Sequence, residues 1–341
     1  LEAVFSGHMP DDVFNRILLP AALPWQAVDM IRAYFGYARQ LGLPYTSVRV
    51  ERLLQARPKL LGSIWQYFQS RFRPDFVGNR NNQMRELAAH IDDRIRAIKN
   101  HDLDQVFRTL FNLLSSTLRT NFYRKDRTEH YISFKFDCAQ VSSMPSPRLV
   151  YEIYVHHADM EGVHLRGGSI ARGGIRWSDR EDYRREILDL ATTQRVKNVL
   201  IVPEGAKGGF YIKAPIKDRA YRRQRADELY QILIRGLLDV TDNVVDGAVV
   251  QPSDVVIHDG NDPYLVVAAD KGTAHLSDTA NSISKAYNFW LDDAFASGGS
   301  NGYDHKKVGI TARGGWMTVR RLFRENGLEP DTDTFTCAGI G

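Results

Sequence analysis

The chain has 341 residues, 43% of them hydrophobic and 25% charged, which is typical of a globular protein large enough for about two domains. Its net charge of +4 comes from 45 basic and 41 acidic residues interleaved along the chain, which argues against a nucleic acid partner and leaves an anionic small molecule open. The N-terminal stretch lacks the features of a signal peptide, and no apolar run is long enough to cross a membrane. We therefore expect a cytoplasmic protein with no membrane partner, in which Cys138 and Cys337 are reduced core residues.

The first third of the chain has the periodicity of helices. In WQAVDMIRAYFGYARQLGL, apolar residues recur at intervals of three and four, and three further segments up to Tyr123 repeat this pattern. Proline, glycine and asparagine separate the segments. We predict a helical region over residues 1–125 that carries no obvious chemistry.

Beyond residue 125 the pattern changes to that of an α/β sheet. HYISFKFD and RLVYEIYVHH alternate apolar and polar residues, as β-strands do. Further along, the apolar runs VLIVP, FYIK, DVVIHDG and YLVVAAD alternate with segments of helical periodicity, one of them over residues 181–197. Strands that alternate with helices predict a mostly parallel sheet, and we assign this α/β domain to residues 126–298.

Two polar residues follow predicted strands of this sheet. Lys207 comes after VLIVP, and Asp270 ends YLVVAAD. Ligands of such sheets bind beyond the carboxyl ends of the strands. We therefore expect Lys207 and Asp270 to lie at the same edge of one sheet.

Several cationic or polar side chains are predicted to converge near that edge. Arg172 and Arg176 lie in the glycine-rich segment ARGGIRW, and Gln194 and Lys197 are three residues apart on a predicted helix, so they share a face. If these residues surround Lys207, the pocket would bind a carboxylate. The planar guanidinium of Arg172 is suited to hold that carboxylate by two hydrogen bonds.

Glycines surround Lys207 in the segment EGAKGG. A phosphate-binding loop needs Ser or Thr after its lysine, and Gly208 stands there instead. The glycines would rather keep the backbone thin, so that the ammonium reaches a small substrate. Burial among cations disfavours a protonated lysine, which suits Lys207 to act as an acid or base, with Asp270 holding it or relaying a proton.

Each of these features also has a purely structural interpretation. Lys207 would be a solvated loop residue, RGGSIARGG a flexible hairpin tip, and the other cationic side chains an exposed surface. Asp270 would cap the helix that follows it, or Ser277 would do so instead. His258 and Asp259 suggest a metal-binding pair, but the sequence shows no third ligand at a suitable spacing, so we predict no metal site.

Taken in order, the segments form a more specific pattern: HLRGGSIARGGIRW, VKNVLIVPEGAKGGFYIK, YLVVAADKGTAHLSDTAN, VGITARGGW and TFTCAGIG. This pattern resembles the substrate domain of the large-subunit NAD-dependent glutamate dehydrogenases, and the resemblance extends over almost the whole chain. It implies a three-layer substrate domain of the amino-acid dehydrogenase type. The glycine-bracketed lysine at its distance from AADKGT is the most specific element.

The resemblance implies oxidative deamination of L-glutamate to 2-oxoglutarate and ammonia, with NAD as the oxidant. Lys207 would be the catalytic lysine, which polarises the carbonyl or activates the attacking water, and Asp270 would exchange protons with the amino group. Arg172, Gln194 and Lys197 would bind the substrate carboxylates. The compact glutamate dehydrogenases carry a lysine where this chain has Arg172, and a change from lysine to arginine alters the geometry of carboxylate binding.

Residues 299–341 resemble the beginning of a Rossmann NAD-binding domain. Thr311 would contact the nicotinamide end of the cofactor, and Gly339 and Gly341 would approach its pyrophosphate. The acidic residue that binds the ribose would lie past Gly341, so NAD and NADP both stay open. We expect this chain to be a fragment with negligible turnover on its own, taken from an enzyme that is a homo-oligomer.

Two alternative functions are also consistent with the sequence. The chain would be a binding or oligomerisation module if the predicted helices expose apolar faces that have no partner inside the chain. It would be a dehydrogenase of another amino acid if neither Arg172 nor Lys197 points at the distal carboxylate of the substrate.

Overall fold

A computed structural model describes residues 2–197, 205–213, 215–302 and 308–336, without the side chains of residues 194–197. The described residues form an α/β fold, as predicted. The helices are α1 (Glu2–Phe5), α2 (Leu18–Ala21), α3 (Trp25–Gln40), α4 (Ser47–Gln55), α5 (Pro58–Phe72), α6 (Arg80–Arg96), α7 (His101–Ser116), α8 (Tyr183–Lys197), α9 (Arg219–Leu238), α10 (Ser277–Ala286) and α11 (Ile310–Glu325). The strands are β1 (Thr117–Thr120), β2 (Ile132–Asp137), β3 (Tyr151–His157), β4 (Met160–Arg166), β5 (Ala171–Ser178), β6 (Ala206–Ile212), β7 (Asn243–Val245), β8 (Ala248–Val250), β9 (Leu265–Ala269) and β10 (Ala296–Ser297).

Eight of the strands form one mixed sheet in the order β1-β2-β3-β4-β6-β5-β9-β10. The prediction of a mostly parallel sheet describes the half from β6 to β10, where every pairing is parallel. The other half, from β1 to β4, is antiparallel, and β4 also pairs antiparallel with β6. The tight turn at residues 158–159 explains part of this difference, because a connection that short joins only antiparallel strands.

Among the residues that the structure describes, the hydrophobic core consists of two clusters. The first contains side chains of α3, α5 and α7 together with side chains of β2, β4 and α8. The second joins α9 and α10 to β5, β6 and β9. Among the described helices of the first 125 residues, α3, α5 and α7 therefore bury their apolar faces inside the chain, so these three do not favour an oligomerisation module.

Three segments differ from their predicted structure. The predicted helix LDQVFRTLFNLLSSTLRTNFY ends at Ser116 and continues directly as β1, whose residues pair with β2. DVVIHDG, predicted as a strand, has no regular secondary structure. RGGSIARGG is not a hairpin tip, because its second glycine pair lies buried inside β5. VLIVP, also predicted as a strand, lies outside the described residues.

A buried ion-pair cluster holds the irregular segment at Asp259 and Asp262 against the sheet. Arg119 of β1 contacts Asp242 at 2.7 Å and Asp259 at 2.6 Å. Lys135 of β2 contacts Asp259 at 2.6 Å and Asp262 at 2.7 Å. These charges are almost completely buried, so each depends on its partners for stabilisation.

α11 differs from the other long helices in having no buried residue. Ile310, Trp316, Met317 and Leu322 are among its exposed apolar side chains. Among the described helices, none combines the length and the apolar character needed to cross a lipid bilayer.

Gly173 of β5 is predicted to be essential for stability. A Cβ atom at this position would lie 1.6 Å from the carbonyl oxygen of Ala206, so a side chain requires the backbones of β5 and β6 to separate. We expect Gly173→Ala to lower the free energy of unfolding by about 3 kcal/mol or more, measured by urea denaturation. Gly62→Ala is the matched control, because a methyl group at that position on α5 would meet no neighbouring residue within 4 Å. It should be neutral or stabilising, and equal losses in both variants would contradict the prediction.

Candidate active site

Lys207 and Asp270 contact each other at one end of the parallel half of the sheet, where β6 begins and β9 ends. Lys207 Nζ lies 2.9 Å from Asp270 Oδ2, and both side chains are largely buried. The prediction that these two residues meet is therefore confirmed by the geometry. Their catalytic role stays a prediction at this point.

The register of the described strands explains this contact. Lys207 is the second residue of β6, and Asp270 directly follows β9, whereas the strand predicted before Lys207 lies outside the described residues. The strands are staggered: Ile175 of β5 is the register partner of both Gly208 and Ala269. The beginning of β6 therefore lies level with the end of β9.

The glycines around this pair make room for neighbouring side chains. A Cβ atom on Gly174 would lie 3.1 Å from Lys207 Nζ and 3.1 Å from Asp270 Cβ. A Cβ atom on Gly208 would lie 2.5 Å from Ile175 Cδ1, and one on Gly209 would lie 2.4 Å from Ile187 Cδ1. The glycines that follow Lys207 thus allow close packing on both faces of β6, and Gly174 leaves space for the Lys207–Asp270 pair.

Asp270 also belongs to a polar network that extends to α8. Arg176 contacts Asp270 Oδ1 at 3.3 Å and Glu186 Oε1 at 2.8 Å. Ser178 Oγ donates a hydrogen bond of 2.6 Å to Glu186 Oε2. The basic and acidic side chains alternate along this network, with Asp270 between Lys207 and Arg176.

Two members of this network were not predicted as site residues from the sequence. Arg176 appeared only as a neighbour of Arg172, and Glu186 was not considered. A strand assignment for ARGGIRWS would have indicated Arg176, since Arg172, Gly174 and Arg176 then share one face. Glu186 had no comparable signal, because its position depends on how α8 packs on the sheet.

Both carboxylates of the network are stabilised in their charged form. Burial by itself would raise the pKa of Asp270, but the hydrogen bond and charge of Lys207 outweigh it and lower that pKa below its ordinary value. Burial likewise opposes ionisation of Glu186, and hydrogen bonds from Ser178 and Arg176 lower its pKa. Asp270 is therefore an ionised hydrogen-bond acceptor near neutral pH.

The backbone around Asp270 is held by Thr273. Asp270 N donates to Thr273 Oγ1 at 3.1 Å, and this hydroxyl donates to the carbonyl oxygen of Ile175 at 2.6 Å. Asp270 does not cap the following helix, because α10 begins at Ser277 with Leu276 at its N-cap position and no side-chain cap. Neither capping role that the sequence allowed is observed.

The three predicted substrate-binding residues have different positions. Arg172 is the second residue of β5 and is exposed, two residues before Gly174 on the face that carries Lys207. Gln194 and Lys197 lie in the last turns of α8, a helix that was predicted, but their side chains lie outside the described residues. Because α8 connects the parallel strands β5 and β6, its last turn returns to the end of the sheet where β6 begins.

The three predicted cofactor residues lie near the C-terminal end. Thr311 is the second residue of α11 and is exposed. Gly339 and Gly341 lie outside the described residues, as does Cys337. Cys138, the other cysteine, is a buried free thiol.

His258 and Asp259 have separate partners. The His258 ring bonds to the carbonyl oxygen of Arg71 at 3.1 Å, while Asp259 pairs with Arg119 and Lys135. Within the ranges that the structure describes, no group of three or more His, Cys, Asp or Glu side chains is arranged to hold a metal ion.

Two protein-family models match the chain. One, described as bacterial NAD-glutamate dehydrogenase, catalytic domain, matches residues 90–341, which is well over half of the chain and includes every predicted site residue. The chain belongs to this family. A second model, described as glutamate dehydrogenase, helical motif 3, matches residues 9–74. The family predicted from the sequence motifs is therefore confirmed.

Curated relatives agree with this family assignment. The NAD-specific glutamate dehydrogenases of Halomonas elongata and Mycobacterium tuberculosis are each 46% identical to the chain, and that of Pseudomonas aeruginosa is 45% identical. These alignments cover 100%, 99% and 99% of the chain, but 21%, 22% and 21% of the respective relatives. The chain thus spans about a fifth of the length of the curated relatives it matches.

Proposed function

We propose that the protein carrying this chain catalyses the oxidative deamination of L-glutamate to 2-oxoglutarate and ammonia with NAD as the oxidant. The observation that carries the proposal is the contact of 2.9 Å between Lys207 and Asp270 at the edge of the sheet. A basic and an acidic side chain held together can exchange protons with an amino group and a carbonyl oxygen. The names of the relatives support glutamate as substrate and NAD as cofactor.

The proposed reaction needs proton transfers at the substrate amino group. Asp270 is ionised, so it accepts a hydrogen bond from the substrate ammonium and takes up its proton. When bound, NAD would supply the oxidising chemistry, the removal of a hydride from Cα of glutamate. Lys207 then positions the water that adds to the imino carbon. The nitrogen leaves as ammonium, so that glutamate, water and NAD yield 2-oxoglutarate, ammonium, NADH and a proton.

Substrate selection is assigned to the cationic residues around this pair. Arg172 faces the same side of the sheet as Lys207, and we propose that it binds a substrate carboxylate together with Gln194 and Lys197. Thr311, Gly339 and Gly341 remain the candidates for contact with NAD.

The same proposal includes the finer organisation of the protein. Residues 126–298 would form a three-layer substrate domain of the amino-acid dehydrogenase type, and residues 299–341 would begin the NAD-binding domain. The two core clusters, which pack helices against the sheet, support the layering. We further propose a cytoplasmic homo-oligomer.

The substrate is tested by comparing L-glutamate with L-norvaline, which has a similar chain length but no distal carboxylate. We expect NADH and 2-oxoglutarate to form from L-glutamate and NAD with the full-length gene product that carries this sequence. Arg172→Met should raise KM for L-glutamate by about tenfold or more, and leave the weak activity on L-norvaline unchanged, if Arg172 binds the distal carboxylate.

Arg185→Met is the matched control, since Arg185 is an exposed arginine on α8 without an assigned role. It should leave both substrates unaffected. Equal or better turnover of L-norvaline by the unaltered enzyme would favour a dehydrogenase of another amino acid and would refute the proposal.

A further inference from the structure

A cavity lies between the helical region and the sheet, away from Lys207. Its volume is about 240 Å³, and it is lined by residues of α3 and α4, by the β3–β4 hairpin and by Lys213, which directly follows β6. Lys207 and Lys213 are six residues apart along this extended strand, or roughly 20 Å. The cavity therefore does not overlap the Lys207–Asp270 site.

Most charges in this cavity are already neutralised. Arg32 contacts Asp12 at 2.7 Å and Asp29 at 2.5 Å, and its remaining nitrogen donates to Asn15. Arg39, also in the lining, contacts Glu181 at 2.6 Å. Arg32 therefore has little capacity left for a further anion, and Arg39 already has an ion-pair partner at the protein surface.

Two oppositely charged side chains in the lining have no ion-pair partner among the described residues. Within the described ranges, neither Lys213 nor Glu161 takes part in an ion pair, and they are too far apart to form one with each other. Glu161 is the register partner of Tyr211 on β6, so Glu161 and Lys213 lie on the same face of the sheet. Burial lowers the pKa of Lys213, and the charge of Glu161 opposes this effect. A ligand with one anionic and one cationic group would complement both residues.

His156 supplies an additional acceptor beside this pair. It is 2% exposed, lines the cavity, and faces Glu161 across β3 and β4. Its Nε2 lies 3.3 Å from Asp29 Oδ1, which places the ring proton on Nε2, because burial lowers the pKa of His156 and keeps the ring neutral. Nδ1 is then an acceptor, and it has no partner among the described residues.

The rest of the cavity wall is largely apolar. It includes the side chains of Pro10, Phe14, Phe35, Leu43 and Val50. Gly36 of α3 keeps the wall open, since a Cβ atom there would lie 2.4 Å from Tyr154 Oη and 3.1 Å from Glu161 Oε1. An apolar ligand side chain would therefore be accommodated next to the two charges.

We propose that this cavity is a binding site for a free α-amino acid with an apolar side chain. Lys213 binds the carboxylate of the ligand, Glu161 and His156 accept hydrogen bonds from its ammonium, and the apolar wall contacts its side chain. The site is independent of the proposed dehydrogenase activity, because it shares no residue with the Lys207–Asp270 network.

The proposal is tested by calorimetric titration of the protein with L-leucine. We expect saturable binding with a Kd of about 1 mM or tighter. 4-Methylpentanoate lacks the ammonium and isopentylamine lacks the carboxylate, so each should bind at least about tenfold more weakly. Lys213→Met and Glu161→Gln should each weaken leucine binding by a similar factor.

Three control variants separate this site from other effects. Lys217→Met and Glu86→Gln change exposed residues outside the cavity and should bind leucine normally. Lys207→Met should also bind leucine normally, which distinguishes the cavity from the catalytic pair. No saturation at about 10 mM leucine, or equal binding by the one-charge analogues, would overturn the proposal even if a lining variant fails to fold.

Discussion

Replacing Lys207 by methionine is expected to lower kcat for glutamate oxidation by about 10²- to 10⁴-fold in the full-length gene product that carries this sequence. The substitution removes the ammonium that lies 2.9 Å from Asp270, but keeps a side chain of similar length in the space beside Gly174. The measurement is the steady-state rate of NADH formation at saturating glutamate and NAD.

The partner residue provides a second test of the same site. Asp270→Asn should cause a loss of similar size, because an amide cannot take up the proton of the substrate ammonium. The double variant should be little worse than the more impaired single variant, since the two side chains act as one unit. Lys217→Met is the surface control. A Lys207→Met enzyme that folds normally and keeps more than about a tenth of its kcat would exclude Lys207 as a catalytic residue.

Arg119→Met is expected to destabilise the fold by about 3–5 kcal/mol. Arg119 is completely buried and contacts two carboxylates, Asp242 and Asp259. Its removal leaves Asp259 with Lys135 alone and leaves Asp242 with no ion-pair partner among the described residues. The loss is measured as the change in the free energy of unfolding from urea denaturation at neutral pH.

An exposed ion pair of the same type is the control for Arg119. Arg108→Met removes a pair with Asp104 in which the arginine is 52% exposed, and it should cost no more than about 1 kcal/mol. Similar losses for the two variants would show that burial of the Arg119 cluster is not what makes it important.

The contact between Lys207 and Asp270 shows how far the sequence alone could predict the site. The pattern correctly paired the two residues, but it placed both at the carboxyl ends of strands. The strand predicted before Lys207 lies outside the described residues. Lys207 itself stands at the beginning of β6 and meets Asp270 through the stagger of three parallel strands. Register depends on how neighbouring strands pack, and a single strand does not carry that information.

The remaining members of the network illustrate a different limit. Arg176 would have been found from the alternation of side chains along β5, once that segment was assigned as a strand. Glu186 and the buried Arg119 cluster had no such signal, because their partners come from distant parts of the chain. Arg119 and Asp259, for example, are 140 residues apart in sequence and 2.6 Å apart in space.

By itself, the amino-acid sequence determined the family, the α/β class, most helices and strands, and the two residues of the central pair. These features depend on local periodicity or on motifs of fixed spacing, both of which a single chain displays directly. Only the tertiary structure decided which strands pair parallel and which antiparallel, the polar network around Asp270, and the lack of an ion-pair partner for Lys213 and Glu161 among the described residues. Each of these depends on which distant parts of the chain meet when the core packs. A charged side chain, for example, forms an ion pair only if folding brings an opposite charge next to it.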